Sequence, residues 1–333
     1  MLEISIIIPI LNEEKYIASC LDSILQSDYD KDKMEVLLVD GGSEDGTMQI
    51  INEYQKRYQF IKLLHNPKKI VPVAMNIGIK EASGEYVVRL DAHSSYPKDY
   101  FSKLIYWHKK LEADNIGGVI TTEVKNKTQK SSAIRKVLSS RFGVGNSEFR
   151  VGVDSVKEVS TVPFGCYKKD VFKKYGYYDE RLVRNQDIEL NKRIIQGGGK
   201  IYLVPDIICT YYARESLEDL AKNNFSNGKW GILTPYYTKN LNSLSLRHFI
   251  PLLFVLSLII PLFLMLLDRY FVYMSFISFG SYLALAIIAS FKLKENTKEF
   301  FYLVSTFFVL HLSYGFGSTM GILKVLDHNK YHI

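Results

Sequence analysis

Short apolar runs alternate with helical patterns from the first residue to about residue 125. The run Ile4–Ile10 is nearly continuous, which is typical of a strand buried on both faces of a parallel sheet. Apolar positions from Tyr16 to Gln26 recur at helical spacing instead. The alternation continues with predicted strands at Val36–Val39, Ile61–Leu64 and Tyr86–Leu90 and predicted helices at Thr47–Tyr58 and Val71–Ala82. This pattern predicts βαβ units and an open, mostly parallel sheet of the α/β class.

A basic, polar stretch follows at residues 123–157, where we expect a helix and a loop. It carries no set of stacking aromatic residues and no known binding motif, so a solvated or phosphate-facing surface is favoured and no nucleic-acid partner is expected. Beyond it, the sequence predicts helices at Lys169–Tyr175 and Ile188–Gln196 and a strand at Ile201–Val204.

The last quarter of the chain is much more apolar. From Phe249 to Ser290 the only charged residues are Asp268 and Arg269. Three segments, at 249–267, 270–290 and 300–323, approach the roughly 20 residues that cross about 30 Å of hydrocarbon. Residues 216–247 before them have the character of an amphipathic segment at a membrane surface. We therefore expect an α/β domain over 1–215, an interfacial segment over 216–247 and three transmembrane helices within 248–325.

Charge and cysteine content indicate the compartment. The chain has 42 Lys+Arg and 35 Asp+Glu, a formal net charge of +7, which suits an anionic leaflet. Lys292, Lys294 and Lys298 lie between the second and third apolar segments, so this loop and the amino-terminal domain are expected in the cytoplasm. Three cysteines without a CxxC pair exclude a disulfide framework and a zinc site. The expected location is the cell (inner) membrane, with several spans.

Two predicted strands end in aspartates, at the edge where open α/β sheets bind ligands. Asp40 precedes two glycines, which allow a ligand to approach the backbone closely. A carboxylate there suits a nucleobase N–H or a ribose hydroxyl, although a tight turn is the alternative. Asp91 and His93 stand two positions apart and project the same way from extended backbone. Together they could coordinate a divalent ion whose other ligands are phosphate oxygens.

In order and spacing, these pieces resemble family 2 glycosyltransferases over about residues 3–235. The matching pieces are a Pro-x-x-Asn-Glu start at Pro9, a Val-Asp-Gly-x-Ser-x-Asp-Gly-Thr turn from Val39, an Asn-x-Gly helix at Asn76 and a Gly-Glu-Tyr strand before Asp91. With its apolar segments, the chain is similar to the membrane-associated transferases of succinoglycan-type exopolysaccharide assembly. The resemblance implies a GT-A fold, an inverting mechanism and a nucleotide-diphosphate sugar donor.

The resemblance also implies roles for individual residues. Those at the donor nucleotide would be Pro9, Leu11, Glu13, Asp40, Gly41, Asn76 and Asp91. Among these, Asp40 would bind the uracil of a UDP-sugar and Asp91 the ribose or the metal. His93 stands where the family has its second metal-binding aspartate, so the expected cofactor is Mn²⁺ or Mg²⁺, with Mn²⁺ favoured by the imidazole. The alternative is that His93 only hydrogen-bonds the diphosphate.

The general base is predicted in the second half of the chain. Asn185-Gln186-Asp187 resembles the family's Glu-Asp motif, with Gln186 in place of the glutamate. The family places at the position of Asp187 the carboxylate that deprotonates the acceptor hydroxyl. First-turn stabilisation of a helix is the alternative role for Asp187. Glu189 would be a supporting partner or a surface residue.

The expected function is transfer of a sugar from a UDP-sugar to a lipid-diphosphate-linked glycan at the cytoplasmic membrane face. The process would be exopolysaccharide or cell-surface polysaccharide assembly, with an assembly complex as a further partner. One alternative is a membrane-bound nucleotidyltransferase, although Pro9–Glu14 lacks the glycine-rich basic signature of that class. The other is a non-catalytic GT-A-like partner of an assembly complex, which the intact Asp40, Asp91 and Asp187 disfavour.

Overall fold

The computed structural model describes residues 2–240 and 246–330. They divide into two compact units, the first from 2–121 with 148–212 and the second from 122–147 with the described residues after 212. The boundary predicted from the sequence lies at residue 215 and so assigns 122–147 to the first domain. The structure places these residues in the second unit. In the second unit an apolar face at 133–137 packs against residues 303–310, which explains the assignment.

The first unit is built on a nine-stranded sheet. Its strands are β1 Ile4–Ile10, β2 Met34–Asp40, β3 Ile61–His65, β4 Tyr86–Arg89, β5 Ser94–Ser95, β6 Asn115–Glu123, β7 Lys157–Glu158, β8 Cys166–Lys168 and β9 Ile201–Tyr212. They lie in the order β3-β2-β1-β4-β8-β6-β9-β5, and β7 pairs with β9. The first four strands are parallel, whereas β8 is antiparallel to both β4 and β6. The predicted parallel arrangement is therefore confined to the amino-terminal half of a mixed sheet.

Helices cover the sheet and form most of the second unit. They are α1 Ile17–Leu25, α2 Thr47–Arg57, α3 Val71–Glu81, α4 Tyr100–Leu111, α5 Gln129–Leu138, α6 Arg141–Val144, α7 Glu148–Val151, α8 Asp170–Tyr175, α9 Gln186–Gln196, α10 Leu217–Thr238, α11 Ile250–Leu264, α12 Val272–Leu293 and α13 Thr297–Lys330. Short 3₁₀ turns occur at Lys31–Lys33, Leu246–His248 and Arg269–Phe271. The five helices predicted from the apolar spacing in the first unit all occur, with bounds shifted by a residue or two.

The core has two layers because successive side chains of a strand point to opposite faces. Ile6 and Ile8 of β1 pack with Leu21 of α1 on one face. Ile7 packs with Met75 of α3 on the other. Burying a side chain of this size contributes about 1.5–3 kcal/mol. These contacts hold both faces of β1 and keep the carboxyl ends of the parallel strands aligned.

In the second unit, α10 and α13 approach each other through small residues. A methyl group at Gly228 would overlap the backbone carbonyl of Tyr314, and one at Gly317 would overlap that of Phe225. The Ser318 hydroxyl donates to the Gly228 carbonyl at 3.1 Å. Close packing of small residues with a hydroxyl bond across the interface is typical of helices in membrane proteins.

Two helical stretches, Arg269–Leu293 and Thr297–Asp327, are long and apolar enough to cross a membrane by length and composition. The predicted first span is different, because α11 has 15 residues and so a length of about 22 Å. That is less than about 30 Å of hydrocarbon, so the prediction of a full helical span at 249–267 is not confirmed. Within the predicted interfacial segment, residues 241–245 lie outside the described part of the chain.

A buried histidine connects α4 to the middle of the sheet. His108 is 0% exposed, and its Nε2 lies 3.1 Å from the carbonyl oxygen of Cys166. Its ring lies 4.8 Å from that of Tyr86, centroid to centroid. A carbonyl oxygen only accepts hydrogen bonds, so Nε2 carries the proton. Burial lowers the pKa of His108 to about 4.

We predict that this histidine makes the protein less stable in mild acid. Its pKa is lower in the folded than in the unfolded protein, where it is about 6.5. The unfolded state therefore binds more protons as the pH falls below 6.5, and folding loses about 2 kcal/mol between pH 7.5 and 5. Thermal unfolding of His108→Gln should show a weaker pH dependence than the parent. His65→Gln, at an exposed histidine, is the control. Equal pH dependence in all three proteins would contradict this role.

Candidate active site

The loops after β1 and β2 are joined by reciprocal hydrogen bonds. The backbone N–H of Asn12 donates to the Ser43 hydroxyl at 2.9 Å, and that of Glu44 donates to the Asn12 side-chain oxygen at 2.8 Å. Asn12 has a φ of 55°, a left-handed conformation that asparagine tolerates better than most residues. Asn12 does not cap the helix that follows, because Tyr16 occupies the N-cap position of α1. Asn12 instead holds the two loops in one arrangement.

Asp40 is 6% exposed and braces the turn that follows it. Its carboxylate accepts hydrogen bonds from the Gly42 N–H at 2.8 Å and from the Ser43 N–H and hydroxyl at 3.1 and 2.6 Å. Gly42 has a φ of 83°, which glycine adopts at little cost. The tight-turn role weighed for Asp40 is therefore present. Its predicted contact with uracil would add to these bonds.

Beside this turn, an apolar side chain, Leu11, lies next to the backbone of Gly41. Leu11 is 42% exposed. A methyl group built on Gly41 would lie 3.5 Å from a Leu11 methyl and 3.4 Å from the Ile10 carbonyl oxygen. Pro9 lies within β1, opposite Val39 of β2. Leu11 and Gly41 are therefore neighbours at the carboxyl end of the parallel strands, where the side of a flat base could rest.

Arg89 brings together the two carboxylates that the sequence singled out. One guanidinium nitrogen donates to Asp187 at 3.1 Å, and the other lies 3.4 Å from Asp91. Burial alone would lower the pKa of Arg89, but the two carboxylates outweigh that effect and raise it. Arg89 was not among the residues predicted to act in the site. Its position two residues before Asp91 was the available signal, because such residues face the same side of a strand.

His93 is held by an acidic and an aromatic neighbour. Its Nδ1 lies 3.1 Å from a Glu13 carboxylate oxygen. Its ring stands edge-on to that of Tyr211, with 5.3 Å between centroids, and edge-on to Tyr16 at 6.3 Å. Glu13 thus lies beside His93, although the sequence predicted it only as part of the nucleotide pocket.

These donors fit a divalent ion that shares its coordination with a ligand. Asp91 and His93 supply one carboxylate and one imidazole, both suitable for Mn²⁺. Within residues 2–240 and 246–330, no group of three His, Cys, Asp or Glu side chains could hold a metal by itself. Nucleotide-bound Mg²⁺ and similar ions commonly use one or two protein ligands, with phosphate oxygens and water completing the shell. The residues present fit that kind of site and not an all-protein one.

Asn76 makes its side-chain hydrogen bonds to the segment before α9. Its side-chain amide donates to the Tyr178 carbonyl at 2.9 Å and to Glu180 at 3.1 Å, and its oxygen accepts from the Tyr178 N–H at 3.0 Å. It is buried. These bonds connect α3 to the segment before α9, so Asn76 positions the part of the chain that leads to Asp187. Direct contact with the nucleotide stays a prediction.

Asp187 and Glu189 differ in what they bind. Asp187 is partly exposed at the start of α9, where one oxygen accepts from the Ile188 N–H at 2.9 Å and the other contacts Arg89. Glu189 is buried and forms two hydrogen bonds with Arg193 at 2.7 and 2.8 Å. Arg193 in turn donates to the Tyr177 carbonyl at 2.7 Å. Glu189 is therefore not a surface residue, and its predicted role as a supporting partner of the base stays a prediction.

A model of glycosyl transferase family 2 matches residues 5–176 of this chain. The dolichyl N-acetyl-alpha-D-glucosaminyl phosphate 3-beta-D-2,3-diacetamido-2,3-dideoxy-beta-D-glucuronosyltransferase of Methanococcus voltae is 34% identical over 233 residues, which are 68% of this chain and 71% of that protein. The succinoglycan biosynthesis protein ExoA of Rhizobium meliloti is 30% identical over 226 residues, 67% of each chain.

Solved structures show the same fold. The mannosyltransferase PcManGT from Pyrobaculum calidifontis, in complex with GDP-Man and Mn²⁺, has a TM-score of 0.59 at 16% identity, over 96% of this chain and 87% of that one. The 1–349 fragment of S. aureus TarS in complex with UDP has a TM-score of 0.50 at 21% identity, over 67% of this chain and 64% of that one. This chain therefore spans slightly less than two thirds of the TarS fragment. The predicted GT-A fold is confirmed.

The family match also decides between the functional classes weighed from the sequence. The family model covers slightly more than half of the chain, and both relatives named above align over about two thirds of it. The nucleotidyltransferase and the non-catalytic partner are therefore set aside. The chain belongs to glycosyl transferase family 2 and is a glycosyltransferase.

Proposed function

We propose that this glycosyltransferase moves a sugar from a UDP-sugar to a lipid-diphosphate-linked glycan during assembly of a cell-surface polysaccharide. The observation that carries the proposal is the contact of Arg89 with both Asp91 and Asp187. It brings a carboxylate suited to the donor and a carboxylate suited to the acceptor to the same guanidinium. An inverting displacement needs donor and acceptor groups at one point.

The donor side is supported by the edge that Leu11 and Gly41 form, which is open to a base. The TarS fragment was solved with UDP and PcManGT with GDP-Man and Mn²⁺, so the fold accepts nucleotides and their sugars. A divalent ion, when bound, would be held by Asp91 and His93 and would offset the negative charge of the diphosphate. Asp40 would then orient the base while it holds its own turn.

The acceptor side is supported by the exposure and contacts of Asp187. Its carboxylate is held by Arg89 and by the Ile188 N–H, yet its side chain stays 30% exposed. We propose that it takes the proton of the acceptor hydroxyl as that oxygen attacks the anomeric carbon. The bond from that carbon to the nucleotide diphosphate breaks, and its electron pair stays on the phosphate oxygen. A lipid-linked acceptor agrees with the dolichyl phosphate sugar named for the Methanococcus voltae relative.

Membrane attachment is supported by the two long apolar helices. The Lys136 ammonium of α5 donates to the Leu293 carbonyl at 3.0 Å and to Glu295 and Glu299 at 2.8 and 2.9 Å. The lysine-rich loop between α12 and α13 is thereby tied to α5, which begins six residues after β6 ends. This contact favours one side of the membrane for both, the cytoplasmic side by the charge of the loop. We propose that the chain consists of a catalytic region, an interfacial segment and a multi-pass membrane region.

The predicted roles of Asp187 and Asp91 are separable by experiment. Asp187→Asn cannot accept a proton, so turnover should fall by about 10²–10⁴ while UDP affinity changes little. Asp91→Asn removes charge beside the metal and diphosphate, so Mn²⁺-dependent UDP affinity should fall about tenfold or more along with turnover. Calorimetric UDP titration and transfer to lipid-extract acceptor measure both quantities. Near-normal turnover of Asp187→Asn would remove the proposed base.

Arg89 should be needed although it is not a reacting group. Arg89→Met leaves both carboxylates without their shared partner, and we expect turnover to fall about 10²-fold or more because the two are no longer held in place. Arg89→Lys should recover little, since one ammonium group lacks the planar fork that reaches two carboxylates. A circular-dichroism spectrum and melting curve for each variant separate this loss from unfolding. Full activity of the lysine variant would contradict the bridging role.

The membrane arrangement can be tested with single cysteines. Cys20, Cys166 and Cys209 are buried, so background labelling should be low. Cysteines replacing the exposed Arg269 and Lys298 flank α12. A membrane-impermeant maleimide should label Arg269→Cys in intact cells and Lys298→Cys only in inverted vesicles. Labelling of both from one side would mean that α12 does not cross the membrane.

A further inference from the structure

One arginine of the first unit lacks the compensation that Arg89 has. Arg150 lies on the short helix α7, and its Nη1 atom is shielded from solvent without a hydrogen-bond partner among the described residues. Its guanidinium carbon lies 5.2 Å from the ring centroid of Tyr211 and 5.7 Å from that of Phe149. Its neighbours are therefore aromatic faces, which stabilise a cation only modestly.

The charge of Arg150 is costly where it lies. Burial lowers its pKa, and Tyr211 counteracts this only in part. Arginine nevertheless stays protonated in proteins, so the positive charge remains. Within residues 2–240 and 246–330, no carboxylate forms an ion pair with it. A partly buried charge without a carboxylate partner destabilises the folded state, and perturbed groups of this kind cluster at functional sites.

Arg150 lies near the residues that are proposed to bind the donor. The Tyr211 ring that it contacts also stands 5.3 Å, centroid to centroid, from the ring of His93. The Tyr212 N–H donates to the His93 carbonyl at 3.0 Å, so β9 is fixed against the segment that carries Asp91 and His93. The Tyr211 ring therefore contacts both the Arg150 guanidinium and His93, the proposed metal ligand.

We infer that Arg150 binds a diphosphate group that enters this edge. The inference rests on the proposed function, because it assumes a diphosphate at His93. Guanidinium groups bind phosphate oxygens through charge-assisted N–H bonds, and the unpartnered Nη1 can supply one of them. A diphosphate would supply the negative charge that the surrounding aromatic residues lack. It would come from the nucleotide donor or from the lipid acceptor, and both offer the same chemistry.

For a donor diphosphate, Arg150 would also act on the reaction. Negative charge develops on the departing phosphate oxygen as its bond to the anomeric carbon breaks. A fixed cation with little surrounding water stabilises that charge without first reorganising. Arg150 would then be a second positive group at the leaving diphosphate, besides the metal ion.

The test compares UDP with uridine, which lacks the phosphates, on the full-length protein in detergent. Arg150→Met should lower UDP affinity about tenfold or more and leave uridine affinity unchanged. Without ligand, its melting temperature should equal or exceed that of the parent, because a partly buried charge without a carboxylate partner has been removed. Arg150→Lys should recover part of the affinity. Arg141→Met, at an exposed arginine, is the control.

Farnesyl diphosphate titration separates the two sources. If Arg150→Met binds UDP normally but farnesyl diphosphate more weakly, the residue serves the lipid acceptor. If both affinities are unchanged, or if the variant only melts at a lower temperature, Arg150 is a packing residue and the inference is overturned. Failure of the parent protein itself to bind UDP would instead contradict the proposed donor, independently of Arg150.

Discussion

The arrangement of this site depends on the double contact of Arg89 with Asp91 and Asp187. Asp91 follows the end of β4 and Asp187 begins α9, nearly one hundred residues later in the chain, so neither local structure determines the position of the other. Negative partners stabilise a buried guanidinium, and a cation between two carboxylates allows them to lie close together. The pairing therefore stabilises all three charges at once. The Arg89 side chain also determines the distance between the donor and acceptor sides of the site.

Other contacts hold in place the loops and helices that surround this pairing. The loops after β1 and β2 are joined through Asn12 and Ser43, so the edge beside Leu11 is rigid before any ligand arrives. Asn76 holds the segment before α9, and Glu189 holds Arg193 against the same segment. The hydrogen bonds of these polar side chains position the loops and the start of α9. Asp187 is therefore left partly open to an acceptor. Preorganisation of this kind lowers the cost of bringing reactants together.

Arg89 and Arg150 show how differently one residue type is used in one unit. Arg89 is neutralised within the protein and therefore acts as structure. Arg150 lies against two aromatic rings and keeps one donor without a partner, so on our inference its charge serves a ligand. The first arrangement stabilises the folded chain, whereas the second costs stability unless an anion binds. A preference of the fold for a charged ligand would follow from this contrast.

Apolar periodicity alone predicted the strands β1 to β4, the helices between them and the sheet edge that carries Asp40 and Asp91, because burial on both faces leaves a strong signal in the sequence. The family resemblance added Asp187 and the GT-A fold. Only the tertiary structure decided that the sheet is half antiparallel, that residues 122–147 pack with the carboxy-terminal helices, and that α11 stops after 15 residues. It alone assigned Asn12 to the neighbouring loop and Arg89 to both carboxylates. Each of these features depends on contacts between residues that are distant in the chain. A periodic pattern reports only the spacing of apolar residues along the chain, so it does not predict such contacts.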